Sequence, residues 1–117
     1  MTSDSYADAS HADGIIHTVS ENETLTDILT RFNICYHALV HENPGTDFTS
    51  DITGISICIP YSDAFARSSE NQPYIVKSGD TLITISANSG TTSDDLLRMN
   101  PCCNILHFST PGTRLRV

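Results

Sequence analysis

The sequence predicts an α+β fold of two small βααβ units, each with two helices packed on a two-stranded antiparallel sheet. The main observation is an internal repeat: shifted by 57 positions, residues 17–44 align with residues 74–101 without a gap. Both copies also place a strand-like segment before two segments of helical spacing, then Asn-Pro, then a second strand-like segment. The two copies differ at most positions but keep the same framework residues, which indicates a duplicated scaffold. The identical pairs are those of Val19, Thr24, Leu25, Ile28, Leu39, Asn43 and Pro44.

The second unit begins with a strand and a turn. Residues 74–76 are apolar and rich in side chains that favour strands, which predicts a short strand. Residues 77–80 are polar, and Gly79 among them supplies the conformational freedom that a turn needs. The turn therefore leads directly into a helix.

The first helix of the second unit has signals at both ends. Asp80 or Thr81 can cap its exposed backbone N–H groups. Leu82 and Ile85 lie one turn apart and are expected to face inward. Gly90 stands where a helix commonly ends in the left-handed conformation.

A second helix and a closing strand follow. Thr92, with Asp95 three positions later, resembles a capping box and opens a helix through residues 96–99. Pro101 stops this helix. After a loop, residues 113–117 alternate outward polar with inward apolar side chains, which predicts a half-buried strand.

The first unit repeats this order, with strands at 16–19 and 56–59 and helices at 25–32 and 36–41. Asn33 replaces Gly90, and Asn tolerates the same backbone twist. Because two antiparallel strands alone are barely stable, the helices of each unit must cover one face of the strand pair.

These elements divide the chain into four segments. They are a disordered acidic tail (1–14), a divergent first repeat (15–60), a polar linker (61–73) and a second repeat (74–117). As a flexible coil, the linker would hold its ends roughly 20 Å apart. Units of this size bury little apolar surface, so we expect small cores and no deep active-site cavity.

The charge of the chain excludes one class of partner. The formal net charge is −8, with −5 in residues 15–60 and +1 in residues 73–117. The chain has no Trp and no cluster of Lys and Arg, so it lacks the electrostatic pattern of a nucleic-acid binder. An uncharged polymer such as a polysaccharide is a more natural partner.

No segment of the sequence predicts contact with a membrane. No apolar run approaches the ~18 residues needed to cross a bilayer. Residues 1–14 lack the basic start and apolar centre of a secretory signal. The route of export is left open.

The four cysteines, Cys35, Cys58, Cys102 and Cys103, allow three interpretations. All four are reduced and partly buried thiols, or Cys35 and Cys58 form a bridge within the first unit, or cysteines cross-link different chains. A bridge between the adjacent Cys102 and Cys103 is disfavoured because its geometry is strained.

The string YIVKSGDTLITISANSGTTSDDLLRMNP, with its PGTRLRV ending, strongly resembles the lysin motif (LysM) family over residues 74–117. Residues 17–60, which close with ICIP, resemble the same family more loosely. The resemblance implies a βααβ module that binds N-acetylglucosamine-containing glycans in peptidoglycan and chitin. The first unit departs from the pattern at 22–25, where Asn-Glu-Thr-Leu replaces Gly-Asp-Thr-Leu, so sugar binding is expected mainly from the second unit.

In the LysM family the sugar lies in a shallow groove between the loop after the first strand and the loop before the second strand. Turn backbone would bond the amide of an N-acetyl group, and Leu82, Ile105 or Leu106 would contact its methyl. Helix initiation alone would also explain Asp80, Thr81 and Leu82. The residues that the resemblance implies for ligand binding are Gly79, Asp80, Thr81, Leu82, Cys102, Cys103, Asn104, Ile105 and Leu106 in the second unit, and Asn22, Glu23, Thr24, Leu25, Gly45, Thr46, Asp47 and Phe48 in the first.

Metal binding and catalysis are not expected. His37 and His41 stand four apart, a spacing that can present two imidazoles to a metal, but a solvated helix face is the preferred interpretation. The sequence has no Ser-His-Asp framework, no phosphate-binding Gly loop and no HExxH helix. Units this small offer no evident cleft across which two carboxylates could hydrolyse a glycoside. We expect no catalytic residues, no metal and no cofactor.

The leading hypothesis is therefore a non-catalytic protein that attaches to N-acetylglucosamine polymers, peptidoglycan before chitin. Two linked modules on a repetitive polymer can raise avidity by about 10² or more. The ICIP ending and the Cys-containing chain resemble wall or spore-layer proteins of Gram-positive bacteria, which places the protein at a cell wall or spore envelope. The alternative is a spore-coat or envelope assembly protein that joins other envelope proteins through its faces and through Cys102 and Cys103.

Overall fold

A computed structural model describes residues 14–61, 63, 66–67 and 72–117. The predicted α+β class is confirmed, since two βααβ units follow one another in this part of the chain. The predicted acidic tail, residues 1–14, lies outside the described residues apart from Gly14. Gly14 begins the first strand, two residues earlier than predicted.

The first unit has the predicted elements with nearly the predicted bounds. They are β1 (Gly14–Thr18), α1 (Leu25–Phe32), α2 (Tyr36–Glu42) and β2 (Ser56–Pro60). The strands are antiparallel, with Ile16 opposite Cys58. The helix α1 begins and ends at the predicted residues because its caps and its inward positions are all local sequence signals.

The second unit consists of β3 (Tyr74–Ile75), α3 (Leu82–Ser89), α4 (Ser93–Met99), a 3₁₀ helix (Ile105–Ser109) and β4 (Arg114–Leu115). Its strands are antiparallel, with Tyr74 opposite Leu115. The sequence predicts only a loop where the 3₁₀ helix lies. The predicted alternation of 113–117 is wrong at both ends, because polar Thr113 is buried and apolar Val117 is exposed.

Each unit has a core between its helices and its strand pair. The inward positions predicted from helical spacing are confirmed, including Leu82 and Ile85 in α3. The repeat keeps these positions because both units bury them. The largest fully buried side chains include Ile28, Leu29, Leu39, Ile57 and Ile59 in the first unit and Ile85, Leu96, Leu97, Phe108 and Leu115 in the second.

Threonine side chains cap three of the helices. Thr24 and Thr81 cap α1 and α3, each accepting a hydrogen bond from the N–H three residues on, at 3.0 and 3.2 Å. Of the two predicted candidates for α3, Thr81 is the cap. Thr92 accepts from the N–H of Asp95 at 3.1 Å and caps α4. A cap of this kind stabilises a helix by about 1 kcal/mol.

Left-handed backbone occurs at matching positions of the two units. Asn33 (φ 52°) ends α1 as Gly90 (φ 75°) ends α3, which confirms the predicted exchange of Asn for Gly. The same exchange occurs in the turn before the first helix, at Asn22 (φ 68°) and Gly79 (φ 91°). Asn is the residue after Gly that visits this conformation most readily, so the turn keeps its shape in the first unit.

The Asn of each Asn-Pro pair joins the end of the second helix to the closing strand. Asn100 Nδ2 donates to the carbonyls of Leu96 and Arg116 at 2.8 and 2.9 Å, and Oδ1 accepts from the Arg116 N–H at 2.7 Å. Asn43 makes the matching three bonds in the first unit, all at 2.8 Å. This bonding explains why the repeat keeps both asparagines.

The two units contact each other through α1 and α4. The Asp94 carboxylate accepts from the backbone N–H of Thr26 at 2.9 Å and also from its hydroxyl. Thr26 lies in the first turn of α1, whose unpaired N–H groups and positive end favour an anion. Arg98, one turn further along α4, donates to the carbonyl of Phe48 at 3.0 Å.

The connector also contacts both units. Asp63 accepts from the backbone N–H of Cys35 at 2.8 Å and from the Asn104 side chain at 3.2 Å. The Arg67 N–H donates to the Cys102 carbonyl at 2.8 Å. These bonds differ from the flexible coil that the composition predicts, because the Asp63 side chain bonds groups of both units and the Arg67 backbone bonds the second unit.

Candidate functional site

The turn before α1 is held by the carboxylate of Glu23. It accepts from the Ser20 N–H at 2.8 Å and contacts His17 Nε2 at 2.9 Å. The Ser20 N–H is the main cause of a lowered pKa for Glu23, with His17 adding to it. Bonds to the ionised form favour it over the neutral acid.

The matching turn before α3 is held in the same way by Asp80. Its carboxylate accepts from the Lys77 N–H at 2.9 Å and from the Tyr74 hydroxyl. The hydroxyl bond, followed by the Lys77 N–H, lowers the pKa of Asp80. His17 and Glu23 in one unit thus correspond to Tyr74 and Asp80 in the other. The carboxylate is therefore engaged within the turn.

A cavity of about 570 Å³ opens beside the start of α3. The second unit lines it with Thr81, Leu82, Ile83 and Ile105. Ile83 is 75% exposed there, whereas Leu82 is buried and forms part of the floor. This wall combines a hydroxyl with aliphatic surface.

The opposite wall of this cavity belongs to the first unit. It consists of Thr26, Thr30 and the charged side chains Glu23, Asp27 and Arg31. One of these charged groups already has a partner within the first unit, since the Asp27 carboxylate accepts a hydrogen bond from the Thr24 N–H at 2.9 Å. The cavity is therefore an amphipathic cleft with one mainly apolar and one polar side.

Of the residues predicted to bind ligand in the second unit, the structure brings Thr81, Leu82 and Ile105 together around this cleft. Gly79 and Asp80 lie in the turn that leads into it. Leu106 is exposed, on the same 3₁₀ helix as Ile105, but it does not line the cleft.

The remaining predicted residues of the second unit lie elsewhere. Cys102 and Cys103 line a separate cavity of about 190 Å³ beside the connector residue Arg67. Asn104 is buried and begins the 3₁₀ helix, accepting from the Leu106 N–H at 3.0 Å. These positions are explained by packing and capping.

In the first unit, a cavity of about 150 Å³ brings together part of the predicted set. Among the predicted residues it includes Glu23, Thr24, Leu25 and Phe48, but neither Asn22 nor residues 45–47. Residues 50–53 form the rest of its first-unit lining. Asp94 and Arg98 from α4 of the second unit also line it.

Sequence reasoning missed Ile83 and the wall formed by α1. Ile83 carried a readable signal, because a large apolar residue between inward Leu82 and Ile85 must face outward on α3. The α1 wall carried none, since Thr26 meets Asp94, 68 residues further along the chain, only where the two units dock.

The histidine pair lies on an exposed helix face. The rings of His37 and His41 stack with centroids 6.4 Å apart. Across the described ranges, no three His, Cys, Asp or Glu residues come together as a metal site. Within the same ranges, no helix has the length and apolar character to span a membrane.

All four cysteines fall among the described residues, and no disulfide joins any two of them. Cys35 donates through Sγ to Asp63 at 3.1 Å. Burial, followed by this bond to Asp63, raises the pKa of Cys35 to about 12. A thiol so far from ionisation is a poor nucleophile.

Each βααβ unit has the architecture of a LysM-type module, and the cleft lies at the start of α3, the first helix of the second unit. The LysM domain family matches the chain at residues 17–53 and 74–117, and the chain belongs to this family. LysM domains bind N-acetylglucosamine-containing glycans such as peptidoglycan.

Curated relatives are longer than this chain. It is 26% identical over 112 residues to the N-acetylmuramoyl-L-alanine amidase sle1 of Staphylococcus epidermidis, in each of two strains. The alignment covers 89% of this chain and 33% of the amidase, so the chain spans about one third of the length of these relatives. No solved structure matches the chain.

Proposed function

We propose that the chain is a non-catalytic binder of N-acetylglucosamine-containing glycans, with peptidoglycan as the first target and chitin as the second. Membership of the LysM family supports the ligand class. The observation that carries the proposal is the cleft that Thr81, Ile83 and Ile105 line at the end of the turn before α3.

The lining of the cleft suits an acetylated amino sugar. An acetamido group presents one amide donor, one carbonyl acceptor and a methyl. Turn backbone near Gly79 pairs with the amide, and Ile83 and Ile105 contact the methyl. A cavity of about 570 Å³ lies within the usual range for ligand pockets, roughly 300–1,000 Å³.

The acids in the cleft favour binding over hydrolysis. Hydrolysis of a glycoside needs one carboxyl group with a raised pKa to act as general acid. The pKa of Glu23 is lowered instead, because Glu23 accepts hydrogen bonds from Ser20 and His17. Asp27 is engaged by the Thr24 N–H in the cap of α1. Both carboxylates therefore accept hydrogen bonds from backbone N–H groups of the first unit.

The proposed location is the cell wall or spore envelope of a Gram-positive bacterium. The similarity to an amidase named for N-acetylmuramoyl-L-alanine, from Staphylococcus epidermidis, supports a peptidoglycan setting. Assembly with other envelope proteins through cysteine cross-links has less support, since Cys35, Cys58 and Cys103 are buried and Cys102 alone of the four is part-exposed.

The proposal is tested by co-sedimentation with purified peptidoglycan and with chitin. The informative variant is Ile83→Asp, which places a charge on a side chain that is 75% exposed in the cleft and leaves the core intact. Leu82 is a poor choice because it is buried, and its substitution would unfold the unit.

The matched control is Thr84→Asp. Thr84 is exposed, lies one residue further along α3 and does not line the cleft, and an Asp there reproduces the Asp27 of the first unit. We expect wild type and Thr84→Asp to sediment with the polymer and Ile83→Asp to stay in solution. Sedimentation of none of the three with either polymer would contradict the proposed function.

A further inference from the structure

We propose that the two units form one glycan site between them rather than two separate sites. This inference rests on the proposed function and concerns the same cleft. In it, α1 of the first unit is the second wall of the groove of the second unit, and one N-acetylglucosamine strand lies between the two units.

The composition of the two walls supports a shared site. The second unit contributes Leu82, Ile83 and Ile105, whereas the first contributes the hydroxyls of Thr26 and Thr30 among charged neighbours. A saccharide ring has an apolar face and a rim of hydroxyl groups. The Thr30 hydroxyl can donate and accept hydrogen bonds, and the Thr26 hydroxyl, which donates to Asp94, can still accept one. The α1 wall is therefore suited to that rim while the aliphatic wall packs on the ring.

Specific bonds fix the position of the α1 wall. The Asp94 carboxylate accepts from the backbone N–H of Thr26, which is itself a lining residue. Arg98 donates to the Phe48 carbonyl. Hydrogen bonds to a charged group are stronger than neutral ones, and the anion lies at the positive end of α1. The wall is therefore held by contacts that the second unit itself supplies.

The same contacts narrow the groove of the first unit. Asp94 and Arg98 line its cavity, which holds about 150 Å³, below the usual range for a ligand pocket. Docking thus completes one groove and partly closes the other. The expected stoichiometry is one glycan per chain, which differs from the two independent modules that an avidity mechanism needs.

The test titrates chitotetraose into the full isotope-labelled chain and measures stoichiometry by calorimetry. We expect a stoichiometry of one, with amide resonances moving on both walls, at Ile83 and Ile105 and also at Thr26 and Thr30. Thr30→Trp should weaken affinity by about tenfold or more by filling the cleft from the first unit.

The matched control is Val40→Trp, an exposed position on α2 that does not line the cleft. Wild-type affinity in Thr30→Trp, or amide shifts confined to the second unit, would overturn the shared site. A stoichiometry of two would also overturn it. Each of these results leaves the proposed function standing, whereas failure of the wild-type chain to bind any sugar overturns both.

Discussion

Replacing Asn100 by alanine tests the physical explanation of the repeated Asn-Pro pair. The side chain of Asn100 is 5% exposed and makes three hydrogen bonds that join the end of α4 to the closing strand. Asn100→Ala removes all three and leaves the N–H and carbonyl of Arg116 without their side-chain partner. The second unit should be destabilised while its apolar core stays unchanged.

The magnitude follows from the bonds lost. Each hydrogen bond contributes roughly 0.5–1.5 kcal/mol net, so three bonds correspond to a loss of about 3 kcal/mol in the free energy of unfolding. The loss should be smaller for Asn43→Ala, because Asn43 makes the same bonds but is only half-buried. An effect of this size is a large fraction of the stability of a small domain.

Urea denaturation followed by far-ultraviolet circular dichroism measures the effect, since the chain has no Trp to report by fluorescence. Asn88→Ala, at an exposed position of α3, is the control and should change the free energy by less than about 0.5 kcal/mol. A loss below about 1 kcal/mol for Asn100→Ala would refute the reasoning.

Three further predictions concern the interface, acid stability and thiol reactivity. Asp94→Ala should destabilise the chain by about 1–2 kcal/mol in urea denaturation, because it removes the carboxylate that bonds α1 across the interface, whereas exposed Asp95→Ala should change it by less than about 1 kcal/mol. The pKa of Glu23 is lowered from 4.5, so the contribution of Glu23 to stability is complete above pH 4.5 and is lost as the pH falls through the lowered value. Glu23→Gln should therefore flatten the decline in stability between pH 5 and pH 3. An unchanged decline would contradict the assignment. Cys35, buried and with a pKa near 12, should resist a thiol reagent at pH 8 until the chain is unfolded, while part-exposed Cys102 reacts in the native chain; mass spectrometry of labelled peptides distinguishes the two.

Local signals predicted the elements of each unit well. Thr81 caps a helix because its side chain reaches an N–H three residues away, and Asn33 ends one because its own backbone turns left-handed. Both properties depend on a few neighbouring residues. For the same reason, the inward positions of the helices were predictable from spacing alone.

Contacts that depend on tertiary placement were not predictable. Thr113 occupies a polar position of an alternating pattern, yet it is buried at a place where its carbonyl accepts from the Val76 N–H, a contact between distant residues that the pattern does not report. In the two matching turns, Glu23 bonds to His17 and Asp80 bonds to Tyr74. Because His and Tyr are different residue types, the alignment of the two repeats does not show that these contacts are equivalent.

The candidate site was predictable in its second-unit half and, among the first-unit residues that line the cleft, at Glu23. Gly79 to Leu82 and Ile105 followed from the family resemblance, and the structure places Leu82 and Ile105 at one cleft. The position of the α1 wall depends on the bond between Asp94 and Thr26. The spacing of residues within either unit cannot predict a bond that joins the two units.

Calorimetric titration of the wild-type chain with N-acetylglucosamine oligomers, beside Ile83→Asp and Thr84→Asp, tests the central claim most directly. Heat of binding in the wild type and in Thr84→Asp, and its disappearance in Ile83→Asp, is the predicted result. Equal heats in all three proteins would show that the oligomer is held somewhere other than the cleft at the start of α3.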